Sequence, residues 1–175
     1  MFSFRTRVKT SAAILLPLFL WACSGDDEAA LPCPRIVVVQ DAAKQVKFDG
    51  PGRDLTDVVF EARIDGTGIE CDYDDEALEV EMQVRVEAAR GPAAKSEQAD
   101  ISYFVAIARR SDQSVVARES FGMTIPLKGN QTRMAAVEDL TPRIPLKGEE
   151  TGATYRIYVG LELNPEEIEY NRANR

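Results

Sequence analysis

The side chains of this 175-residue sequence that could do chemistry are mainly carboxylates, because it holds 29 Asp and Glu, 3 Cys and no His. Without His, the sequence excludes Ser-His-Asp and Cys-His catalysis and every metal site that needs an imidazole ligand. Two carboxylates could hydrolyse a glycoside, but nothing nominates one pair among so many acids. There is no Ser-x-x-Lys pattern and no Gly-rich phosphate loop. We therefore expect a protein that is not an enzyme, with no catalytic residue and no cofactor.

The densest acidic cluster is Asp72-Tyr73-Asp74-Asp75-Glu76. Alternating carboxylates resemble the start of a calcium loop, but the expected Gly at its sixth position is missing and Gln83 stands at the twelfth, where a bidentate Glu is needed. We interpret the cluster as a solvated turn before a strand, and we assign no metal.

The first 22 residues have the pattern of a targeting segment. Arg5, Arg7 and Lys9 precede the apolar run 12–20, which is too short to span a bilayer. The run leads into Leu20-Trp21-Ala22-Cys23, which resembles the lipobox of bacterial lipoproteins. That resemblance implies a signal peptide at 1–22, a lipid on the Cys23 thiol, cleavage before Cys23 and acylation of the new amino terminus. A buried core helix and a plain secretory peptide are the alternatives.

Two segments of the remaining chain, 34–42 and 52–58, resemble a family of small proteobacterial outer-membrane lipoproteins that has no established activity. Ser24 after the Cys favours the outer membrane, by analogy with enterobacterial sorting. We expect a domain that faces the periplasm and is anchored to the membrane without spanning it.

The charge of the remaining chain argues against nucleic acid as a partner. Removing 1–22 takes away 3 of the 21 basic residues, so 18 basic and 29 acidic residues give a net charge of −11. Such a surface repels phosphate backbones.

Cys33 and Cys71 remain once Cys23 is lipidated, and an even pair in an oxidising compartment suggests one disulfide. If the strands beside them pair as neighbours, both cysteines lie at the same end of one sheet. A redox pair is the alternative, but there is no Cys-x-x-Cys. Residues 23–34 are predicted to form the lipidated end and a flexible acidic tether, and 35–175 to form the domain.

The domain shows the two-residue period of half-buried strands. The alternation is clearest over 78–88 and 153–163, and weaker versions occur at 35–40, 44–48, 57–64, 101–109 and 114–121. Pro126 and Pro145 confine the later apolar runs to edge strands or loops. Asn164-Pro165-Glu166-Glu167 predicts the start of a short C-terminal helix. The pattern favours an all-β antiparallel sandwich, immunoglobulin-like, with a small closed barrel as the alternative.

One predicted strand is apolar on both faces. Ile101, Tyr103, Val105 and Ile107 form one face, and Ser102, Phe104, Ala106 and Ala108 form the other, which Tyr158, Gly160 and Val59 could extend. This second face is either covered by the C-terminal helix through Ile168 and Tyr170, or it is a docking surface that includes Phe104 and Tyr158.

Two functional hypotheses follow. The first is a lipid-anchored envelope protein whose non-catalytic β-sandwich is a structural or protein-interaction module, with another envelope protein as its partner. The alternative is a periplasmic lipoprotein that binds a saccharide or another small ligand, which requires a concave pocket with convergent polar groups.

Overall fold

The computed structural model describes residues 31–174. The predicted signal peptide at 1–22, the lipobox and the lipidation site Cys23 lie outside the described residues. The strands are β1 (Arg35–Val38), β2 (Lys44–Phe48), β3 (Val58–Tyr73), β4 (Ala77–Arg90), β5 (Gln98–Arg109), β6 (Val115–Pro126), β7 (Arg133–Leu140), β8 (Arg143–Pro145) and β9 (Tyr155–Leu161), and helix α1 (Pro165–Ala173) follows them. Neither α1 nor any shorter helix of the described part is long and apolar enough to cross a membrane.

The strands form two sheets. The first has the order β1-β9-β5-β6, and the second has the order β2-β3-β4-β7, with β8 also paired to β4. The first and last strands, β1 and β9, run parallel, and every other pairing is antiparallel. The predicted all-β sandwich with a short C-terminal helix is confirmed. Because β6 and β7 do not pair, the two sheets do not close into the alternative barrel.

The core lies between the sheets and follows the alternation of the sequence. Leu78, Val80, Val84 and Val86 of β4 are fully buried, and they face Tyr103, Ile157 and Val159 of the first sheet. Burying each such side chain contributes about 1.5–3 kcal/mol before conformational entropy is subtracted.

Two stretches of strand differ from the prediction. The strand expected over 57–64 continues to Tyr73, because a bulge after Ile64 restores its inward phase. Strand β7 was not predicted, because its side chains reverse the usual alternation, in which apolar residues point inward and polar residues point outward. Val137 points outward and is 52% exposed, whereas Glu138 lies on the core-facing side between Ala136 and Leu140.

Helix α1 begins as predicted. The Asn164 side chain accepts a hydrogen bond from the Glu167 amide at 2.9 Å, and the Glu167 carboxylate accepts one from the Asn164 amide at 2.9 Å. Pro165 occupies the first turn, where its missing N–H has no cost.

The disulfide between Cys33 and Cys71 is present, although its setting differs from the prediction. Cys71 lies within β3 of the second sheet, whereas Cys33 precedes β1 of the first, so the bond joins the two sheets. The Tyr73 hydroxyl donates to the Pro32 carbonyl at 2.7 Å and accepts the Gly152 amide at 2.6 Å. Residues 32–34, the end of the predicted flexible tether, are therefore held against the sandwich.

Candidate interaction groove

Phe104 and Tyr158, the residues of the predicted docking face, lie on the outer face of the first sheet. Phe104 is opposite Gly160, and Tyr158 is opposite Ala106. Both side chains are half-buried. The predicted contribution of Val59 is wrong, because β3 belongs to the other sheet.

Phe104 is covered by its own chain. The Arg118 guanidinium lies 4.6 Å from the centre of its ring. A methyl group added to Gly160 would lie 2.7 Å from the Phe104 ring and 2.9 Å from Ala42, so ring, glycine and Ala42 are in close contact. Ala42 belongs to the short 3₁₀ turn Gln40–Ala42, which follows β1. The cover at Gly160 therefore comes from this turn, not only from the C-terminal helix.

Helix α1 packs on that turn and on β2. The Tyr170 ring meets the Phe48 ring of β2 edge-on at 5.2 Å, and the Asn171 side chain donates to the carbonyls of Asp41 and Lys44 at 2.8 and 2.6 Å. The helix thus supports the turn that covers Gly160.

Polar side chains complete this face. The Glu162 carboxylate accepts hydrogen bonds from Arg118 at 2.9 Å and from Ser120 at 2.6 Å. The part of this face around Phe104 is therefore occupied by Arg118, Ser120 and Glu162 of the same chain.

A more open apolar surface lies at the side of the sandwich, between edge strand β6 and the β7–β8 edge of the second sheet. This surface, which we call the side groove, has one hollow of about 340 Å³ and a second of about 240 Å³, and Ile107, Ala117 and Arg143 line both. Its other apolar lining residues are Val105, Phe121, Leu140 and Pro142 in the first hollow and Val116, Ile144, Pro145 and Tyr155 in the second.

The groove exists because the first half of β6 has no cover. All residues of 115–120 are exposed, whereas Met123 and Ile125 further along the same inward face are buried. Val115 and Val116 are 62% and 48% exposed. A strand with this much exposed apolar surface at a sheet edge is a candidate for pairing with another chain.

The floor of the groove packs on a buried, hydrogen-bonded tyrosine. The fully buried Tyr103 stacks on Phe121 with 5.3 Å between ring centres, and its hydroxyl donates to the Glu138 carboxylate at 2.8 Å. Burial, followed by this hydrogen bond, raises the pKa of Tyr103 far above its ordinary value, so the phenol stays neutral.

Most charges around the groove are paired. Arg143 bonds to Asp74 at 2.7 Å. Arg109 pairs with Glu150, which also accepts the Tyr155 hydroxyl at 2.8 Å. The hydrogen bonds from Tyr155 and then Arg109 hold the pKa of Glu150 below its ordinary value.

Glu119 and Lys147 are different, since neither the Glu119 carboxylate nor the Lys147 ammonium has an ion-pair or hydrogen-bond partner among residues 31–174. Glu119 lines the first hollow and is opposite Val105, so it stands on the inward phase of β6. Lys147 lines the second hollow. Neither residue was predicted from the sequence, although a Glu in the inward phase of an alternating strand is a signal of an uncovered edge.

The acidic cluster at 72–76 is divided between the end of β3, which holds Asp72 and Tyr73, and a tight turn at 74–76. The Asp74 carboxylate accepts the amides of Glu76 and Ala77 at 2.8 and 2.7 Å, and these bonds are the largest cause of its lowered pKa. Among the residues that the structure describes, no three acidic or cysteine side chains are placed to hold a metal ion.

No protein-family model, curated protein or solved structure matches this chain. The architecture and the side groove are therefore the features from which a function has to be argued.

Proposed function

We propose that this protein is a lipid-anchored module of the outer membrane, facing the periplasm, whose non-catalytic β-sandwich binds another envelope protein. The lipid anchor rests on the sequence pattern that ends at Cys23. The interaction role rests on the side groove, which replaces the predicted Phe104 and Tyr158 face as the candidate binding surface.

The observation that carries the proposal is the coincidence of an apolar groove with a free strand edge. Val105, Ile107 and Phe121 provide a preformed apolar floor, and no strand within residues 31–174 pairs with the outer side of β6 beside it. Apolar floors with polar rims are typical of protein-binding surfaces. Backbone groups along a free edge add hydrogen bonds to any extended chain that docks there.

A small-ligand function has one feature in its favour. A second concave area of about 450 Å³, lined by Glu70, Glu81, Gln83 and Asp139 among others, lies beside the end of β7. Carboxylate and amide groups of this kind bind sugar hydroxyls. The Gln83 side chain already donates to Asp139 at 2.8 Å, which leaves fewer free groups for a ligand.

Chemical crosslinking of intact cells tests the proposal. A tagged protein is crosslinked and purified beside three variants: Cys23→Ser, which removes the lipid attachment; Ala117→Trp, which fills the groove; and Val137→Trp, a control on the exposed outer face of β7. We expect a specific envelope protein that is captured by the unchanged protein and by Val137→Trp but lost from the other two variants.

Two results would contradict the proposal. Equal capture by Ala117→Trp would remove the groove from the interaction. Absence of any specific partner, together with saccharide-dependent changes in the amide signals of Glu70 and Gln83, would favour the small-ligand function instead.

A further inference from the structure

The free edge of β6 is protected along only half of its length. Pro126 ends the strand and offers no N–H for pairing, which is a common protection of sheet edges. The half from Val115 to Ser120 contains no proline and is exposed throughout. This half borders the side groove, so an added strand would meet both a backbone edge and an apolar floor.

We propose that the side groove binds an extended protein segment of the pattern apolar-x-basic-x-apolar, which adds to the sheet as a strand beside β6. This inference rests on the proposed interaction function and specifies the partner's chemistry. A strand of about six residues covers roughly 20 Å, which matches the run from Val116 to Phe121.

The pattern follows from the alternation of side chains. Alternate residues of an added strand point to the same face of the sheet as Ala117, Glu119 and Phe121. The two positions opposite Ala117 and Phe121 lie over the apolar parts of the groove, so they favour apolar side chains. The position between them lies opposite Glu119.

Glu119 determines the central residue. Its carboxylate has no partner among residues 31–174, whereas the nearby Arg143 and Arg109 are neutralised by Asp74 and Glu150. A Lys or Arg on the added strand would place its aliphatic part against the apolar floor and its charge near Glu119. The Lys147 ammonium at the other hollow has no ion-pair partner among residues 31–174, so it favours an acidic residue at that end of the bound segment.

A second copy of this chain fits the edge poorly. Two β6 strands that pair about a twofold axis must match residues of the same face. Arg118 is the one basic residue of β6 and lies on the opposite face from Glu119, so no such pairing places a cation opposite Glu119. Centring the pairing on Arg118 or on Glu119 also places two like charges opposite each other. Like charges in directly opposed positions are unfavourable. The occupant that the charges fit is a segment of a different protein.

Peptide binding to the full-length protein in detergent tests the inference. The probes are two capped peptides, Ser-Val-Thr-Lys-Thr-Val-Ser and the same sequence with Glu in place of Lys. We expect the Lys peptide to bind about tenfold more tightly than the Glu peptide, and to shift the amide signals of β6. Glu119→Lys should reverse this preference, and Glu81→Lys, the same charge change on the outer face of β4, should leave it unchanged.

Three outcomes would overturn the inference. They are an equal affinity for both peptides, a preference that Glu119→Lys leaves intact, and binding of neither peptide. In the last case, a Glu119→Val variant that self-associates would identify Glu119 as a guard against edge pairing. The crosslinking experiment is independent of these results, so a groove-dependent envelope partner would preserve the proposed function even if this peptide pattern is wrong.

Discussion

Replacing both Cys33 and Cys71 by serine should lower the unfolding temperature by roughly 13 °C. The disulfide closes a loop with a sequence separation of 38. In the chain-entropy relation, this loop removes about 13 cal/mol/K from the unfolded state, which corresponds to about 4 kcal/mol at 25 °C. For the 144 residues from 31 to 174, an unfolding entropy of about 300 cal/mol/K converts that energy into the temperature shift.

Differential scanning calorimetry of the oxidised protein, the reduced protein and the double variant measures this shift. The reduced protein should melt close to the double variant, because both lose the same covalent constraint. A shift below about 3 °C in both samples would refute the reasoning, since the contacts of Tyr73 with Pro32 and Gly152 would then hold the segment without the bond.

Three further predictions concern the packing and charges of the sandwich. Gly160→Ala should lower the free energy of unfolding by about 1–3 kcal/mol, because the added methyl group overlaps the Phe104 ring. Gly122→Ala should not lower it, because a methyl group there has no atom within 4 Å. Equal losses in thermal melting would contradict the packing described for this face. Asn164→Ala should lower stability by about 1 kcal/mol through loss of the helix cap, and an unchanged melting temperature would show that α1 does not depend on it. The melting temperature should stay constant from pH 6 to 8, because the chain has no His, and fall in acid. The lowered pKa of Glu150 gives stability that is present above its ordinary value of 4.5 and is lost as the pH falls through the folded pKa. Glu150→Gln should therefore reduce the fall of the melting temperature in acid. A step in the melting temperature between pH 6 and 8 would contradict this prediction.

The sequence predicts those strands that have one face buried and the other exposed along their whole length. Over Leu78–Ala88 every second residue is apolar and buried, so the period gives both the strand and its orientation. The second half of β3 was not predicted, because Gly66 and Gly68 are typical of turns. In the structure they lie opposite Arg85 and Gln83 within the ladder. Strand β7 was hidden because Glu138 faces inward to accept the hydrogen bond from Tyr103.

The candidate site could not be predicted from the local alternation either. The sequence placed Phe104 correctly on the second face of β5, but its cover depends on Ala42, which is 62 residues away along the chain and meets it at Gly160. The side groove depends on which strands become edges. Because β9 pairs with β5, β6 is left at the edge, and this long-range pairing has no signature in the local period.

The sequence Ile-Pro-Leu-Lys-Gly occurs twice, at Ile125–Gly129 and at Ile144–Gly148, and both copies have the same local structure. In each copy the proline ends a strand, the leucine amide bonds to the residue before another strand, and the glycine has positive φ, +57° and +60°. Both copies are therefore turns that close an edge segment.

The most direct test of the central claim is position-specific photo-crosslinking in living cells. A photoreactive amino acid replaces Ala117 in the side groove or, in a matched protein, Val137 on the outer face of β7. We expect a discrete crosslinked envelope protein when the photoreactive residue is at Ala117 and none when it is at Val137. The Ala117 crosslink should be lost when Cys23→Ser is added. Crosslinks of equal intensity at both positions, or at Val137 alone, would contradict it.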